Sequence, residues 1–425
     1  MANAAPGEWF AASLREDCER IVREAIERVR PDRAVRRALE DATFGEGRLI
    51  LVAVGKAAWE MAATAREALG RRIDGGIVIT KHGYARGELP PLVVREAGHP
   101  VPDGDSFSAT GEALALTEHL RPEDTVLFLL SGGGSALFES PLISPEELRD
   151  ITARLLACGA DITGMNTVRK RLSAVKGGRF ARHCAPARIF SIVLSDIIGD
   201  PLDMIASGPA CPDSSTCADA VDIVRRYGLT LSERARGCLE VETPKALDNV
   251  TTRVTGSVRE LCAAAAHTCQ ALGYRPVLLT DRLSCEAREA GRFLASIAHS
   301  HAGDGEAMAF IAGGETVVHL TGRGLGGRNQ ELALAACGDI AGLENVAVFS
   351  VGSDGTDGPT DAAGGYVDGR TLGLLRSKGL ALDDALADND AFHALQATGG
   401  LIYTGPTGTN VNDVAVALVR PRGQF

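Results

Sequence analysis

Lysine is scarce in this chain: Lys56, Lys81, Lys170, Lys176, Lys245 and Lys378 are its only lysines among 44 basic residues. Where arginine serves almost everywhere, the surviving lysines mark positions that need a compact ammonium. Lys56 and Lys176 stand beside glycines and are the first to inspect. In VAVGKAAWEMA, Lys56 follows an aliphatic run and opens a helical pattern, where free amides and the helix dipole already favour an anion. It is not a Walker A loop, because the upstream glycine of that motif is missing and Ala57 stands where a hydroxyl is required. In LFLLSGGGSALFE, Ser131, Gly132, Gly133, Gly134 and Ser135 follow a strongly apolar run. Consecutive glycines can turn their amides toward an incoming oxyanion, with Ser135 as an extra hydroxyl; the plain alternative is a tight turn.

Acidic and basic groups cluster beside these loops. MNTVRKRLSAVKGGRFAR gathers Arg169, Lys170, Arg171, Lys176, Arg179 and Arg182, and puts Asn166, Lys170 and Ser173 on one helical face. A solvated basic face is the ordinary meaning of such a run, and an acidic-substrate or nucleotide site is the functional one. Its S-x-x-K signature, Ser173 to Lys176, lacks the companion K-T-G of an acylase. SIVLSDIIGDPLDMIASGP ends an apolar run in Asp196, and SVGSDGTDGPTDAAGG places Asp354, Asp357 and Asp361 after another. A carboxylate at the end of a strand beside a phosphate loop is where magnesium is held, through few protein ligands and several waters. Asp196 and Asp354 are therefore the metal candidates. TGPTGTNVNDVAVALV adds Thr409 and Asn410 in a polar loop before a last apolar run.

GRGLGGRNQELALA admits two readings. Gly322, Gly324 and Gly327 spell the G-x-G-x-x-G of a dinucleotide turn, with TVVHL as the strand before it. That fingerprint needs an acidic residue about 20 positions on, at the tip of the next strand. Here Glu344 precedes that strand and Asp354 lies in a polyacidic loop after it. The second reading makes the glycines the means by which Arg328 reaches phosphate oxygens.

The elements that must carry these loops are strands alternating with helices. After a helical lead, DCERIVREAIERVR, the runs RLILVAVG, GGIVITKHG, DTVLFLLSGGG and RIFSIVLSD read as a parallel sheet buried on both faces, with ligand loops beyond its carboxyl ends. RPVLLTD, AMAFIAGGE, TVVHLTG, VAVFSVGSDG, LIYTG and DVAVALV form a second set. The short GGE turn between AMAFIAGGE and TVVHLTG predicts an antiparallel pair there and hence a mixed sheet. A polar stretch around Pro244 predicts two α/β domains, residues 1–243 and 244–425.

Composition narrows the function classes. With 45% hydrophobic and 23% charged residues the chain reads as globular, and a net charge of −11 argues against a nucleic-acid surface. The ten cysteines follow no zinc spacing. The N-terminus MANAAPGEWFAASLRED has no signal-peptide pattern and no apolar run is long enough to span a membrane, so a cytoplasmic location is expected.

Taken in order, VGKAA, AGHPVPD, SGGGSAL, NTVRKRLSAVKGGR, SDIIGDPLDMIASGP, GGETVV, GRGLGGRNQE, SVGSDGTDGPTDAAG and TGPTGTNVND resemble the blocks of the glycerate kinase family that carries a C-terminal MOFRL domain. The likeness runs over nearly the whole chain. It implies an N-terminal Rossmann-like three-layer domain with a mostly parallel sheet, a C-terminal α/β domain with a mixed sheet, and a cleft between them. It implies transfer of the γ-phosphoryl of ATP to D-glycerate with Mg²⁺, mostly at the 2-hydroxyl. Lys56 and Arg328 would be the catalytic pair, joined by Asp196. Ser131, Gly132, Gly133, Gly134, Ser135, Asn166, Arg171, Lys176, Asn329, Glu331, Thr409 and Asn410 would contact substrate or nucleotide. The alternatives are NAD(P)H-dependent hydroxypyruvate reduction and formation of 3-phosphoglycerate. No nucleic acid or membrane partner is expected, and a homodimer is left open.

Overall fold

Uninterrupted aliphatic runs suit strands covered on both faces, and they build the first sheet of this computed structural model, which describes residues 13–422. Most of MANAAPGEWFAASLRED lies outside the described residues. The strands are β1 (Leu49–Val54), β2 (Gly75–Lys81), β3 (Leu92–Ala97), β4 (Thr125–Leu130), β5 (Arg188–Leu194) and β6 (Val250–Gly256), in the order β3-β2-β1-β4-β5-β6. β1 pairs in parallel with both β2 and β4, β2 with β3, and β4 with β5. The strand order reverses between β1 and β4. In doubly wound sheets a ligand sits at such a switch point, beyond the carboxyl ends of the strands. Lys56 follows β1 and the SGGGS loop follows β4, so the order of strands brings those two segments side by side.

The second sheet contains β7 (Arg275–Leu283), β8 (Met308–Gly314), β9 (Val346–Gly352), β10 (Gly364–Asp368), β11 (Leu401–Ile402) and β12 (Asp413–Val419), ordered β11-β10-β9-β12-β8-β7. It is mixed, as expected: β7 and β8 are parallel, whereas β12 runs antiparallel between β8 and β9. The expected pairing of AMAFIAGG with TVVHL does not form. β8 is flanked by β12 and β7, and TVVHL makes one bridge, from Val317 to Glu286, a bond from Asn389 to His319 O and the packing of Val318 on the core, while Val317 and Leu320 are exposed. With Val317 and Leu320 left uncovered, that segment has β composition without a strand.

The chain divides into two compact units, one spanning Ala34–Thr255 and the other joining the lead helix, up to Arg33, to the part from Gly256 onward. The division expected at residue 243 thus falls at 255, because β6 completes the first sheet; Asn249 donates to the carbonyls of Ala181 and Ala187 beneath it. The lead helix Leu14–Val29 belongs with the second unit. Its buried stripe of Cys18, Ile21, Val22, Ala25, Ile26 and Val29 packs with Val258, Leu261 and Ala265. Each fully buried aliphatic side chain there is worth about 1.5–3 kcal/mol. Asp17, itself buried on this helix, accepts from Tyr274 Oη at 2.5 Å and Arg420 Nη2 at 2.7 Å.

Candidate active site

At the end of β1, Gly55 has a φ of 127° and packs so closely on Ser131 that a Cβ would collide with its hydroxyl and carbonyl. Only glycine lets the two loops touch there. The contact is then tied by the backbone: Lys56 N donates to Gly132 O at 2.9 Å, and Ala57 N donates to Ser131 Oγ at 3.1 Å. Ser131 is buried, so its hydroxyl joins the loops and is not presented as a ligand. Gly133, at φ 89°, caps the short helix Gly134–Leu137. Among the described residues no acceptor engages the amides of Gly132, Gly133, Gly134 and Ser135. They form the anion-ready turn that the glycines predict.

The half-buried Lys56 lies against this turn. A Cβ on Gly133 would meet Lys56 Cγ at 3.4 Å and His99 Nε2 at 3.2 Å. Among the described residues no hydrogen bond or ion pair engages the Lys56 ammonium. His99, in AGHPVPD beyond β3, was not singled out from the sequence. Burial, then the charges of Lys56 and Lys81, push its imidazolium below the ordinary range, so the ring is neutral at pH 7. Asp196, just beyond β5, places its carboxylate directly over Gly132, where a Cβ would strike Oδ2. Lys56, the glycine turn, His99 and Asp196 therefore share the carboxyl edge of the first sheet. A Gly132→Ala substitution is expected to displace Asp196 and lower turnover roughly 10-fold with the fold retained, since small misplacements of a reacting group cost activity; steady-state kinetics with circular dichroism checks this.

Ser135 and Asn166 are joined through Ser207. Ser207 Oγ donates to Asn166 Oδ1 at 3.0 Å and lies 3.0 Å from Ser135 Oγ. One hydroxyl carries one proton, so Ser135 is the donor to Ser207 and its own oxygen remains an acceptor. Ala206 (φ 50°) and Ser207 (φ 61°) hold left-handed backbone without glycine, a strain that clusters at functional sites.

Other expected contacts turn inward. Arg171 is fully buried, and its guanidinium meets Thr167 O at 3.0 Å, Ser215 O at 2.9 Å and Glu242 at 3.3 Å. Lys170 pairs with Asp203 and Asp213. Lys176 donates to Ser135 O at 2.8 Å and Phe138 O at 2.9 Å, and pairs with Glu139 at 3.1 Å, both side chains fully buried. Burial pushes the Lys176 ammonium down to about 8. Lys176 thus supports the glycine turn from behind, and Arg171 ties its own helix to Ser215 and Glu242, which corrects their reading as substrate contacts. Glu139→Gln leaves a buried ammonium uncompensated and should cost about 3–5 kcal/mol. Glu139→Gln/Lys176→Met should cost less, and denaturant unfolding of the two variants decides.

In the second unit, Arg328 is the first residue of the helix Arg328–Ala336. Its Nε and Nη2 fork onto Asp413 at 2.5 and 3.1 Å, and Nη1 reaches Glu315 at 2.9 Å. Asp413 opens β12 and is paired in register with Gly314 and Gly352, the last residues of β8 and β9. These carboxylates hold the guanidinium charged. Of its five N–H donors, one on each Nη is left over, and a third of the side chain is exposed. Asp354 lies at the same strand ends, fixed by two bonds from Thr356 to its Oδ1. Neither Glu315 nor Asp413 was expected in the site; Glu315 reads as part of a turn until β12 is placed beside it.

The glycines of GRGLGGRNQE do other work. The amides of Thr321, Gly322, Arg323, Gly324 and Leu325 all bond to Asp388, Asn389 or Asp390. Gly327 packs on Asp357, whose carboxylate accepts from the amides of Asn329 at 3.1 Å and Gln330 at 2.8 Å. An internal carboxylate therefore occupies the helix N-terminus where a phosphate was expected. Burial pushes Asp357 up to about 6. Asn329, buried, also bonds Ser350, and buried Glu331 takes Arg288 at 3.0 Å and Asn389 at 3.1 Å. Thr409 donates to Val29 O at 3.1 Å. Asn329, Glu331 and Thr409 are thus turned into the fold, while Asn410 is exposed.

Comparison with known proteins matches these features to relatives. Residues 17–240 match a family described as a domain of unknown function, DUF4147, and residues 308–413 match the MOFRL family. The chain is 49% identical to a D-glycerate 2-kinase of Thermotoga maritima, covering 96% of this chain and 99% of that protein. It is 40% identical to a glycerate 2-kinase of Pyrococcus horikoshii, covering 96% and 98%. A putative hydroxypyruvate reductase of Agrobacterium vitis is 39% identical, covering 97% and 96%. A crystal structure of glycerate kinase from Thermotoga maritima superposes with a TM-score of 0.92 at 49% identity, covering 96% and 99%.

Proposed function

Because the chain belongs to the glycerate kinase family with a MOFRL domain, we propose that it transfers the γ-phosphoryl of ATP to the 2-hydroxyl of D-glycerate. The observation that carries this reading is the unengaged glycine turn beside Lys56 at the switch point of the first sheet. The glycerate oxygen attacks the γ-phosphorus, the bond to the ADP oxygen breaks, and 2-phosphoglycerate and ADP leave. Such transfer needs positioning and charge stabilisation on the equatorial oxygens more than covalent help. The amides of Gly132, Gly133, Gly134 and Ser135 bind phosphate oxygens in this account, and the Lys56 ammonium neutralises charge as it shifts. Arg328 offers its two remaining N–H groups to phosphoryl oxygens. Asp196 receives the hydroxyl proton. The acceptor oxygen of Ser135 suits a hydroxyl of glycerate.

The carboxylates fit a magnesium ion. Asp196 sits in a glycine cradle, and Asp354 is held at a strand end. Among the described residues the group of three converging metal-type ligands is His82, Asp103 and Asp105, so Asp196 and Asp354 each offer the sparse oxygen set that magnesium prefers, with waters and substrate oxygens completing it. When bound, the ion would neutralise charge on the phosphate oxygens. Activity is expected to require Mg²⁺ or Mn²⁺ and to disappear in EDTA; activity that survives chelation, or stoichiometric zinc in the purified protein, contradicts this.

The reductase alternative depends on a dinucleotide turn at Gly322, Gly324 and Gly327. The amides of Thr321 through Leu325 in that loop are engaged internally and no strand precedes it, which favours the kinase. We expect ADP release that depends on D-glycerate, and no NADH oxidation with hydroxypyruvate; the opposite pair of results overturns the proposal. With no described helix long and apolar enough to cross a membrane, the cytoplasm is the compartment we propose.

A further inference from the structure

A cavity of about 490 Å³ in the first unit is lined by Arg179, Arg182, His183 and Arg234, with Leu142 and Val241 among its apolar walls. None of these residues belongs to the carboxyl-edge loops described above. Arg179 is buried, with Nη1 anchored on Arg171 O at 3.1 Å and Ser173 O at 2.6 Å. Arg234 Nε is anchored on Leu142 O at 2.6 Å, and His183 Nε2 meets Leu114 O at 3.0 Å. The bonds to backbone carbonyls fix these side chains without neutralising the guanidinium charges. Among the described residues no carboxylate lies within ion-pair distance of Arg179, Arg182 or Arg234. That is unusual company in a chain of net charge −11, where the buried Arg171 and Arg420 both have acidic partners.

A buried guanidinium without a counter-charge is costly, and like charges around one cavity add repulsion. Burial, followed by the charge of Arg182, lowers the affinity of Arg179 for its own proton. A multivalent anion relieves both penalties. A phosphate brings a charge of about −1.5 to −2 at neutral pH, and a carboxylate brings the remainder needed to balance three arginines. Guanidinium forks match both groups. The volume lies in the range of small-molecule sites, roughly 300–1,000 Å³, and the concave, partly apolar lining suits a short carbon body more than a polymer. We propose that this cavity is a second, non-catalytic binding site for a small organic phosphate that also carries a carboxylate.

Isothermal titration with 3-phosphoglycerate tests this on the whole protein, with the catalytic site filled by a non-hydrolysable ATP analogue, Mg²⁺ and D-glycerate. The wild type should bind one equivalent, and Arg182→Ser/Arg234→Ser should bind at least tenfold more weakly. Both side chains are exposed, so the variant's circular dichroism and glycerate-dependent turnover should match the wild type. Dependence on these two arginines identifies the cavity whether or not the catalytic ligands bind. Inorganic phosphate, as the second titrant, should bind at least tenfold more weakly than 3-phosphoglycerate. No binding, or binding equal in wild type and variant, overturns the site; equal affinity for inorganic phosphate overturns the organic ligand.

Discussion

Lys56→Ala lowers turnover by a factor on the order of 10³ at saturating ATP and glycerate, because its ammonium meets charge that redistributes only as the phosphoryl group moves. The structure makes this substitution informative. Lys56 is half-buried against the glycine turn, no described partner engages its ammonium, and the backbone tie from its amide to Gly132 O is kept by alanine. Loss of activity with an unchanged melting temperature is the expected pair of results. Steady-state kinetics showing near wild-type turnover would remove Lys56 from the mechanism, and a large drop in melting temperature would recast it as a structural residue.

Arg328→Lys tests the second unit. Arginine grips both oxygens of Asp413, reaches Glu315, and still has two N–H groups to offer; lysine keeps the charge but gathers its donors on one nitrogen. It cannot fork onto Asp413 and also serve a phosphoryl oxygen in the same geometry. A fall in turnover of roughly 10- to 1000-fold is expected, larger than any change in the KM for ATP, as for a contact that strengthens in the transition state. Unaltered turnover would leave Arg328 as a strut between Asp413 and Glu315.

The comparison of Lys56 with Lys176 shows what a sequence can disclose here. Both stand beside glycine, and local spacing cannot separate them. Glu139 and the carbonyls of Ser135 and Phe138 meet Lys176 only through folding, and they turn it into a support. Arg171 is withdrawn in the same way by Ser215 and Glu242. The main strands were legible because buried parallel strands are continuously apolar. β3, with its polar alternation, β6, just past the stretch expected to link domains, and β10, which opens on Gly364 and Gly365, lacked that signal. TVVHL carried the signal but forms a single bridge and no strand. His99, Glu315 and Asp413 enter their sites through sheet order, which strand composition does not encode. The glycine turn and Asp196 were legible, since three glycines and a strand-terminal aspartate have a local meaning.

Phosphorus NMR of the product made from ATP and D-glycerate tests the central claim most directly. A new phosphomonoester signal split into a doublet by the single proton on C2 is the predicted result, identifying 2-phosphoglycerate formed together with ADP. A triplet from the two protons of C3, or no new ester while ATP remains, would contradict it.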